Sequence, residues 1–504
     1  MSGLTTPATP TTAETATPET PATAESPTSA PDAVLDRLRD TLGERVLTHG
    51  AALEAARADR SGHRSNKAPL AVVQAAGVED VQETCRIAHA TSTPVVIRGA
   101  GTGLAGGAVG GAGEIVLDLM GMNRILEVSV ADRLAVVEPG ILNGALNRAL
   151  AEQGLWWAPD PASKEISSVG GNIAMNAGGL LCAKYGVTRE AVLGLKVVLA
   201  DGRLIETGHR SVKGVTGYDL TALMIGSEGT LGVIVEATLH LRPLFHGEQV
   251  TLGAFFDDVV SAADAAAAIV TDGLVPAIME LMDEATLAAV RSYALATPDA
   301  GLASVAATLP ERGAFLLIQT DGAGAATEAE RILSHLRTAG GEARQAATGE
   351  EAAELVALRR NAFPALERLG TPLVEDVAVP RTQMPALFAR IREIEAATGI
   401  AIPTAAHAGD GNLHPILVFG KPGEVGGHTA DAAAEIPAEV WDAAGQVFRA
   451  ALELGGTLTG EHGVGLLKRD FLREELGEVQ DDLQRQIKAV FDPRGILNPG
   501  KVFG

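Results

Sequence analysis

His407-Ala-Gly-Asp-Gly-Asn-Leu-His414 sets two imidazoles either side of a Gly-Asp-Gly turn, and Gly460-Glu461-His462-Gly463 sets a carboxylate beside a third. A turn of that composition lets the chain fold back and bring both histidines onto neighbouring backbone. Two imidazoles and one acid, here His407, His414 and Glu461, suffice to hold a divalent metal with a position open for substrate. Zinc is the first choice, and manganese or iron(II) also suits such a set. Two ordinary turns with polar tips would carry the same residues, so spacing alone leaves both readings open.

A second chemistry is written in glycine. Arg98-Gly-Ala-Gly-Thr-Gly-Leu-Ala-Gly-Gly107 follows an apolar strand, and a loop so poor in side chains lets several amide N–H groups converge on phosphate oxygens. It is not a P-loop, which would end in Gly-Lys-Ser/Thr. Nor is it the usual dinucleotide fingerprint, because Gly110 to Gly113 continues the loop and Glu114 opens another strand rather than a helix. A tight bend between strands is the simpler alternative. Further patches weigh against it: Trp157-Ala-Pro-Asp-Pro161, Ser168-Val-Gly-Gly-Asn172, Asn176-Ala-Gly-Gly179, and Lys213-Gly-Val-Thr-Gly-Tyr-Asp-Leu220 leading to Gly226-Ser-Glu-Gly-Thr-Leu-Gly232. The patches over 157–179 and over 213–232 each join small residues to Asn, Ser or Glu, and a large flat cofactor with a pyrophosphate would use them all.

The elements that must hold these patches follow from periodicity. A helix is expected from Asp32 through Leu35, Leu38 and Leu42, then a strand over 70–75, a helix over 79–90 and a buried strand over 94–98. Strands at 114–119, 125–130 and 134–138 precede a helix over 142–153. Asp201-Gly202 predicts a hairpin between strands 196–199 and 203–206, and 233–241 reads as another strand. From about His246 the texture turns to alanine-rich helices. Strands at 251–256 and 315–320, with helices at 259–270 and 328–338, suggest an α+β layer. A helical stretch over 350–369 should bend or break at Pro364, and a final helix should run over 478–490. The expected division is a disordered Thr/Pro/Ala-rich tail (1–31), a first domain (32–245), a second (246–450), and a C-terminal segment (451–504) returning to the first.

Composition narrows the function classes. With 504 residues, two or three domains are expected. Forty basic against 63 acidic residues give −23, which disfavours nucleic acid and anionic lipid. Cys85 and Cys182 alone allow neither a disulfide framework nor a cysteine-rich zinc site. No stretch reads as a secretory signal or a membrane span, so a cytoplasmic protein is expected, with peripheral attachment to a membrane partner left open.

Taken in order, Arg98-Gly-Ala-Gly-Thr-Gly, Pro159-Asp-Pro161, Gly170-Gly-Asn-Ile-Ala-Met-Asn-Ala-Gly-Gly179, Gly226-Ser-Glu-Gly-Thr-Leu-Gly232, the two histidine patches and Asn498-Pro-Gly-Lys501 resemble the FAD-linked oxidases of the vanillyl-alcohol-oxidase fold. Within that family the chain looks most similar to glycolate oxidase FAD subunits and D-lactate dehydrogenases, from about residue 32 to the end. The resemblance implies an α+β protein: a two-subdomain FAD-binding domain, an α+β cap over the flavin, and a C-terminal segment completing the flavin and metal site. The cofactor contacts it implies are Arg98, Gly99, Gly101, Thr102, Gly103, Pro159, Asp160, Ser168, Gly171, Asn172, Asn176, Gly178, Gly179, Glu228, Gly229, Ile234 and Asn498. Relatives with a tethered flavin carry a histidine in the first glycine loop. None lies between Arg98 and Gly113, so non-covalent FAD is expected.

The activity implied is oxidation of a small D-2-hydroxy acid, glycolate or D-lactate, to the 2-oxo acid, with electrons leaving to a quinone, a cytochrome or an electron-transferring flavoprotein. His462 is the expected general base and Arg359 the expected carboxylate clamp. Relatives acting on D-2-hydroxyglutarate carry a basic residue before the Asp of the Val374-Glu375-Asp376 patch and an Asn after the second metal histidine. Val374 and Ile416 stand at those places here. A D-2-hydroxyglutarate dehydrogenase and a non-catalytic flavin subunit passing electrons within a complex are the alternatives. A homodimer or a complex with other oxidase subunits is compatible with either.

Overall fold

The computed structural model describes residues 31–244, 247–297, 300–420 and 436–504. The Thr/Pro/Ala-rich tail, apart from Pro31 at the start of the first helix, and the boundary expected at 245 lie outside the described residues.

Short runs of Val, Ile and Leu, too apolar to face water, pair in parallel as Ala71–Gln74, Ile115–Asp118 and Val95–Arg98, with Val46–Leu47 antiparallel on the outer edge. Helix Val78–Thr91 covers this sheet through Val81, Cys85 and Ala88, and helix Pro31–Leu42 packs on it through Val34, Leu38 and Leu42. The far end of the chain closes the edge. The Val95 amide donates to Ile496 O, the Asn498 amide donates to Val95 O, and Ile496 and Leu497 enter the same core.

A second, antiparallel sheet runs Ile125–Ser129, Leu134–Val137, Val233–His240, Val192–Val198, Leu204–Gly208. The last two strands form the expected hairpin, and Gly202 at its turn has φ +84°, a conformation that disfavours any side chain.

The third layer is an eight-stranded sheet of the second half of the chain, ordered Glu342–Gln345, Gln249–Phe256, Ala314–Asp321, Ile278–Met282, Thr404–His407, Asn412–Phe419, Thr371–Val374, with Val377–Ala378 also on Asn412–Phe419. Helices cover both faces. Val259–Thr271, Ala325–Thr338, Met384–Thr398 and Ala438–Glu453 share one core, while Glu284–Leu295, Gly349–Arg360 and Ala362–Glu367 share the other. Helix Ala438–Glu453 runs across position 450 and buries Val447, Phe448 and Ala451 in the first of these cores. The return towards the first sheet therefore begins beyond it.

Two elements differ from expectation. The stretch over 350–369 breaks at Asn361, whose side chain donates to Ala357 O, and not at Pro364. Pro364 falls in the first turn of the following helix, where a missing N–H costs nothing. The last helix starts early, at Leu472, and kinks at Gly477 (φ +69°), so the expected span is the part beyond the kink. Among the described residues no helix is long and apolar enough to cross a membrane.

Candidate active site

The three layers meet around a cavity of about 1010 Å³, at the top of the range of roughly 300–1,000 Å³ usual for ligand pockets. One wall is backbone and small side chains. Gly99, Gly101, Thr102 and Gly103 line it from the loop after strand Val95–Arg98; Asp160, Ser168, Gly171, Asn172, Gly178 and Gly179 follow, then Glu228, Gly229, Ile234 and Asn498. A Cβ built on Gly103 or Gly107 meets nothing within 4 Å, so the space before them is open to a ligand. At Gly99 the opposite holds: a Cβ would sit 2.3 Å from Ser168 Oγ, the cap of helix Val169–Met175. The buried Asn172 Nδ2 has no partner in this wall. A cradle free of side chains with an orphaned donor fits a large cofactor that brings its own acceptors.

Three expected cofactor residues do not line the cavity. Arg98 turns away, donating through Nη1 to Ala58 O (2.9 Å) and Ala108 O (2.8 Å), and so braces the glycine loop from behind. Pro159 O accepts the Asn143 amide, and Asn176, left-handed at φ +50°, accepts the Arg189 N–H. Each satisfies loop backbone that would otherwise be unpaired. Two of the lining residues are braced as well. Asn498 accepts the Ile97 N–H and donates to Glu228 O, and the two Glu228 oxygens accept the N–H groups of Val464 (2.7 Å) and Gly465 (2.8 Å). Burial pushes the Glu228 carboxyl up to about 7.

The other end of the cavity is built from charged side chains. Strands Thr404–His407 and Asn412–Phe419 are adjacent and antiparallel, with Ala405 opposite His414 and His407 opposite Asn412. The histidine rings meet edge to face at 4.9 Å. Glu461 reaches both from its loop: its Oε1 is 3.4 Å from His407 Nε2 and 3.2 Å from His414 Nε2. One ligand atom from each residue lies within 4.8 Å of the other two, a donor set that fits a zinc-like ion. Burial opposes ionisation here, yet Glu280 and Glu461 raise His407 well above its ordinary value, and the two histidines draw Glu461 well below its own.

His462 stacks on His414 (5.2 Å, 19°) with Nδ1 3.5 Å from Asp376 Oδ1. Burial lowers its imidazole to about 4, so it is neutral near pH 7. Asp376 is the organiser of this loop. Its Oδ2 accepts the backbone N–H groups of Gly460, Glu461 and His462, and Lys468 pairs with Oδ1. Burial would raise Asp376, but Lys468 reverses this and holds it well below the usual carboxylate range.

Arg359, on helix Gly349–Arg360, lines the cavity with its Nη2 2.8 Å from Glu280 Oε2 and its buried Nε unpartnered. Val374 and Ile416, a cross-strand pair, face the same space. His414 and Ile416 are two apart on one strand and so share a face.

Residues 246–502 match the family described as FAD linked oxidases, C-terminal domain, and residues 69–208 match an FAD binding domain. The chain belongs to the FAD-linked oxidases. Glycolate oxidase subunit GlcD of Bacillus subtilis (strain 168) is 40% identical over 86% of this chain and 89% of its own length. A protein named probable D-lactate dehydrogenase, mitochondrial, of Danio rerio is 34% identical over 94% and 92%. The solved structure of p-cresol methylhydroxylase with substrate bound superposes with a TM-score of 0.72 at 17% identity, covering 94% of this chain and 96% of that one. This FAD-linked oxidase thus has the α+β vanillyl-alcohol-oxidase fold, and it is an FAD-binding oxidoreductase.

Sequence reasoning missed three site residues. Glu280 interrupts the apolar strand Ile278–Met282, and a lone acid inside such a run was the available signal. Lys468 (2% exposed) looks like any surface lysine in its sequence context. Arg60, whose amide donates to Gly103 O, lines the cavity from outside the glycine loop.

Proposed function

We propose that this FAD-linked oxidase converts a small D-2-hydroxy acid, glycolate or D-lactate, to the 2-oxo acid. The convergence of His407, His414, Glu461 and His462 at one end of the flavin cavity, with Arg359 beside them, carries the reading. The names of the relatives from Bacillus subtilis and Danio rerio support the substrate class.

The glycine wall would hold FAD non-covalently, and Arg60, which lines the cavity and whose amide donates to Gly103 O, would offset pyrophosphate charge. His407, His414 and Glu461 would hold a divalent cation, zinc by donor preference. When bound, FAD supplies the two-electron acceptor for the hydrogen on the α-carbon, and the cation supplies Lewis acidity at the hydroxyl. Arg359 clamps the substrate carboxylate with charge-assisted hydrogen bonds. The Asp376 carboxylate favours the tautomer of His462 with its proton on Nδ1, leaving the Nε2 lone pair to take the hydroxyl proton. Asp376 then stabilises the imidazolium that forms.

Val374, Ile416 and Ala405 make the adjoining wall apolar. A second substrate carboxylate there would lose hydrogen-bond partners, at about 1–3 kcal/mol for each unsatisfied buried group. That supports a monocarboxylate over D-2-hydroxyglutarate. Electrons leave to a quinone, a cytochrome or an electron-transferring flavoprotein, and the word subunit in the Bacillus relative's name supports work within a complex.

An acceptor-dye assay over a panel of hydroxy acids, both enantiomers, on protein of measured metal content tests this. Turnover of D-lactate or glycolate that stops on chelation is expected. Turnover that survives complete metal removal, or a preference for D-2-hydroxyglutarate, would overturn it.

A further inference from the structure

We propose that Glu280 is a positioning residue that couples His407 to Arg359, tying metal affinity and substrate-carboxylate binding to one buried carboxylate. Glu280 is 1% exposed and lies in the middle of strand Ile278–Met282, directly opposite His407 in the sheet register. Neighbours on that strand, Met279 and Leu281, fill one core, whereas Met282, two along from Glu280, enters the other. By strand alternation Glu280 therefore points to the face covered by helix Gly349–Arg360. An anion buried in an apolar strand would be strongly unfavourable without partners. It has two, of different kinds: His407 Nδ1 hydrogen-bonds Oε1 at 2.6 Å, and Arg359 Nη2 forms an ion pair 2.8 Å from Oε2, an oxygen with no hydrogen-bond partner.

The two contacts do different things. At His407, the carboxylate fixes the proton on Nδ1, so that Nε2 faces Glu461 and His414 with its lone pair, and it makes that nitrogen a stronger donor. At Arg359, it occupies one terminal nitrogen and anchors the guanidinium at the cavity, leaving the buried Nε without a partner inside the protein. Neither Arg359 nor Glu280 is among the three ligand residues. The geometry nevertheless makes them a relay, since any change in the Arg359 pairing alters the charge facing His407.

The inference rests on the metal and clamp roles given above, so the test separates the two. Zinc affinity is measured by competition with a chromophoric chelator on flavin-loaded protein, and KM and kcat are measured with D-lactate and glycolate. Glu280→Gln keeps an oxygen for His407 but turns an amide NH2 towards Arg359. We expect zinc affinity to fall about 10- to 100-fold, the range for lost outer-shell partners, and KM to rise about tenfold with a smaller change in kcat. Arg359→Met, which touches no ligand residue, should shift zinc affinity at least threefold, and it decides the matter if Glu280→Gln does not fold. Unchanged zinc affinity in Arg359→Met, or unchanged zinc affinity and KM in folded Glu280→Gln, would overturn the coupling. His407→Ala is the control: if it keeps its zinc, the metal assignment itself has failed.

Discussion

Two buried carboxylates hold successive stretches of one loop, residues 460–465, and behave in opposite ways. Glu228, in the flavin wall, accepts two backbone N–H groups and is pushed up to about 7 by burial. Asp376, under the histidine loop, accepts three backbone N–H groups and a lysine, and is held well below the usual range. Two amides and the more distant charge of Lys468 do not offset the loss of water around Glu228; a direct ion pair with the same lysine does so at Asp376. The wall proposed to hold FAD is shaped largely by glycine and backbone. The end where chemistry is proposed gathers the ion pairs of Glu280, Asp376 and Glu461 around a neutral His462. Shape binds on one side and electrostatics acts on the other.

The division can be tested from either side. His462→Ala should leave the flavin spectrum intact while kcat falls ~10²–10⁴-fold, the usual contribution of a positioned base; near-normal turnover would remove it from that role. His407→Ala should lose bound metal and at least ~100-fold in turnover, given the several kcal/mol a Lewis acid supplies, again with flavin retained. Loss of the flavin along with the metal would show that the two sides are not separable. Arg359→Lys should raise KM for the hydroxy acid about 10- to 100-fold, from ~1.5–3 kcal/mol for a charge-assisted hydrogen bond, and scarcely change metal content. From the opposite side, Gly103→Val should weaken FAD binding about tenfold by overfilling the cradle, at ~1–3 kcal/mol, and leave zinc untouched.

The smallest effect is one of pH. Glu228 has a folded pKa of about 7 against an ordinary 4.5, so the folded state holds the proton more tightly than the unfolded chain. Its contribution to stability is complete below about 4.5 and is lost as pH rises through about 7. Thermal unfolding should therefore show Tm falling across that interval, and Glu228→Gln should flatten the slope. Identical slopes would place the effect elsewhere.

Much of the active end was legible because its residues are clustered along the chain. The Gly-Asp-Gly turn between His407 and His414 already implies that two imidazoles come together, and the structure sets them on adjacent strands. Glu280 was not legible. It lies 127 residues from His407, and only strand register brings them together. The strand Thr404–His407 itself was missed, because Thr-Ala-Ala-His has little β-branched character and owes its form to the strands on either side. Arg98 shows a different limit. Its place beside the glycine loop is plain, but sequence does not say to which side of a loop a guanidinium turns, and here unpaired carbonyls of Ala58 and Ala108 claim it. In the fold, strands of the first half were readable from Val/Ile runs between glycines. The break at Asn361 was not, because proline is a stop signal only beyond the first turn.

Asn498 joins the Ile97 amide, 401 positions before it, to the Glu228 carbonyl, 270 positions before it. The glycine loop proposed to seat the flavin is thus held in place by a residue far from it in the chain. Asn498→Ala, which removes both bonds, should therefore loosen the proposed flavin seat and weaken FAD binding.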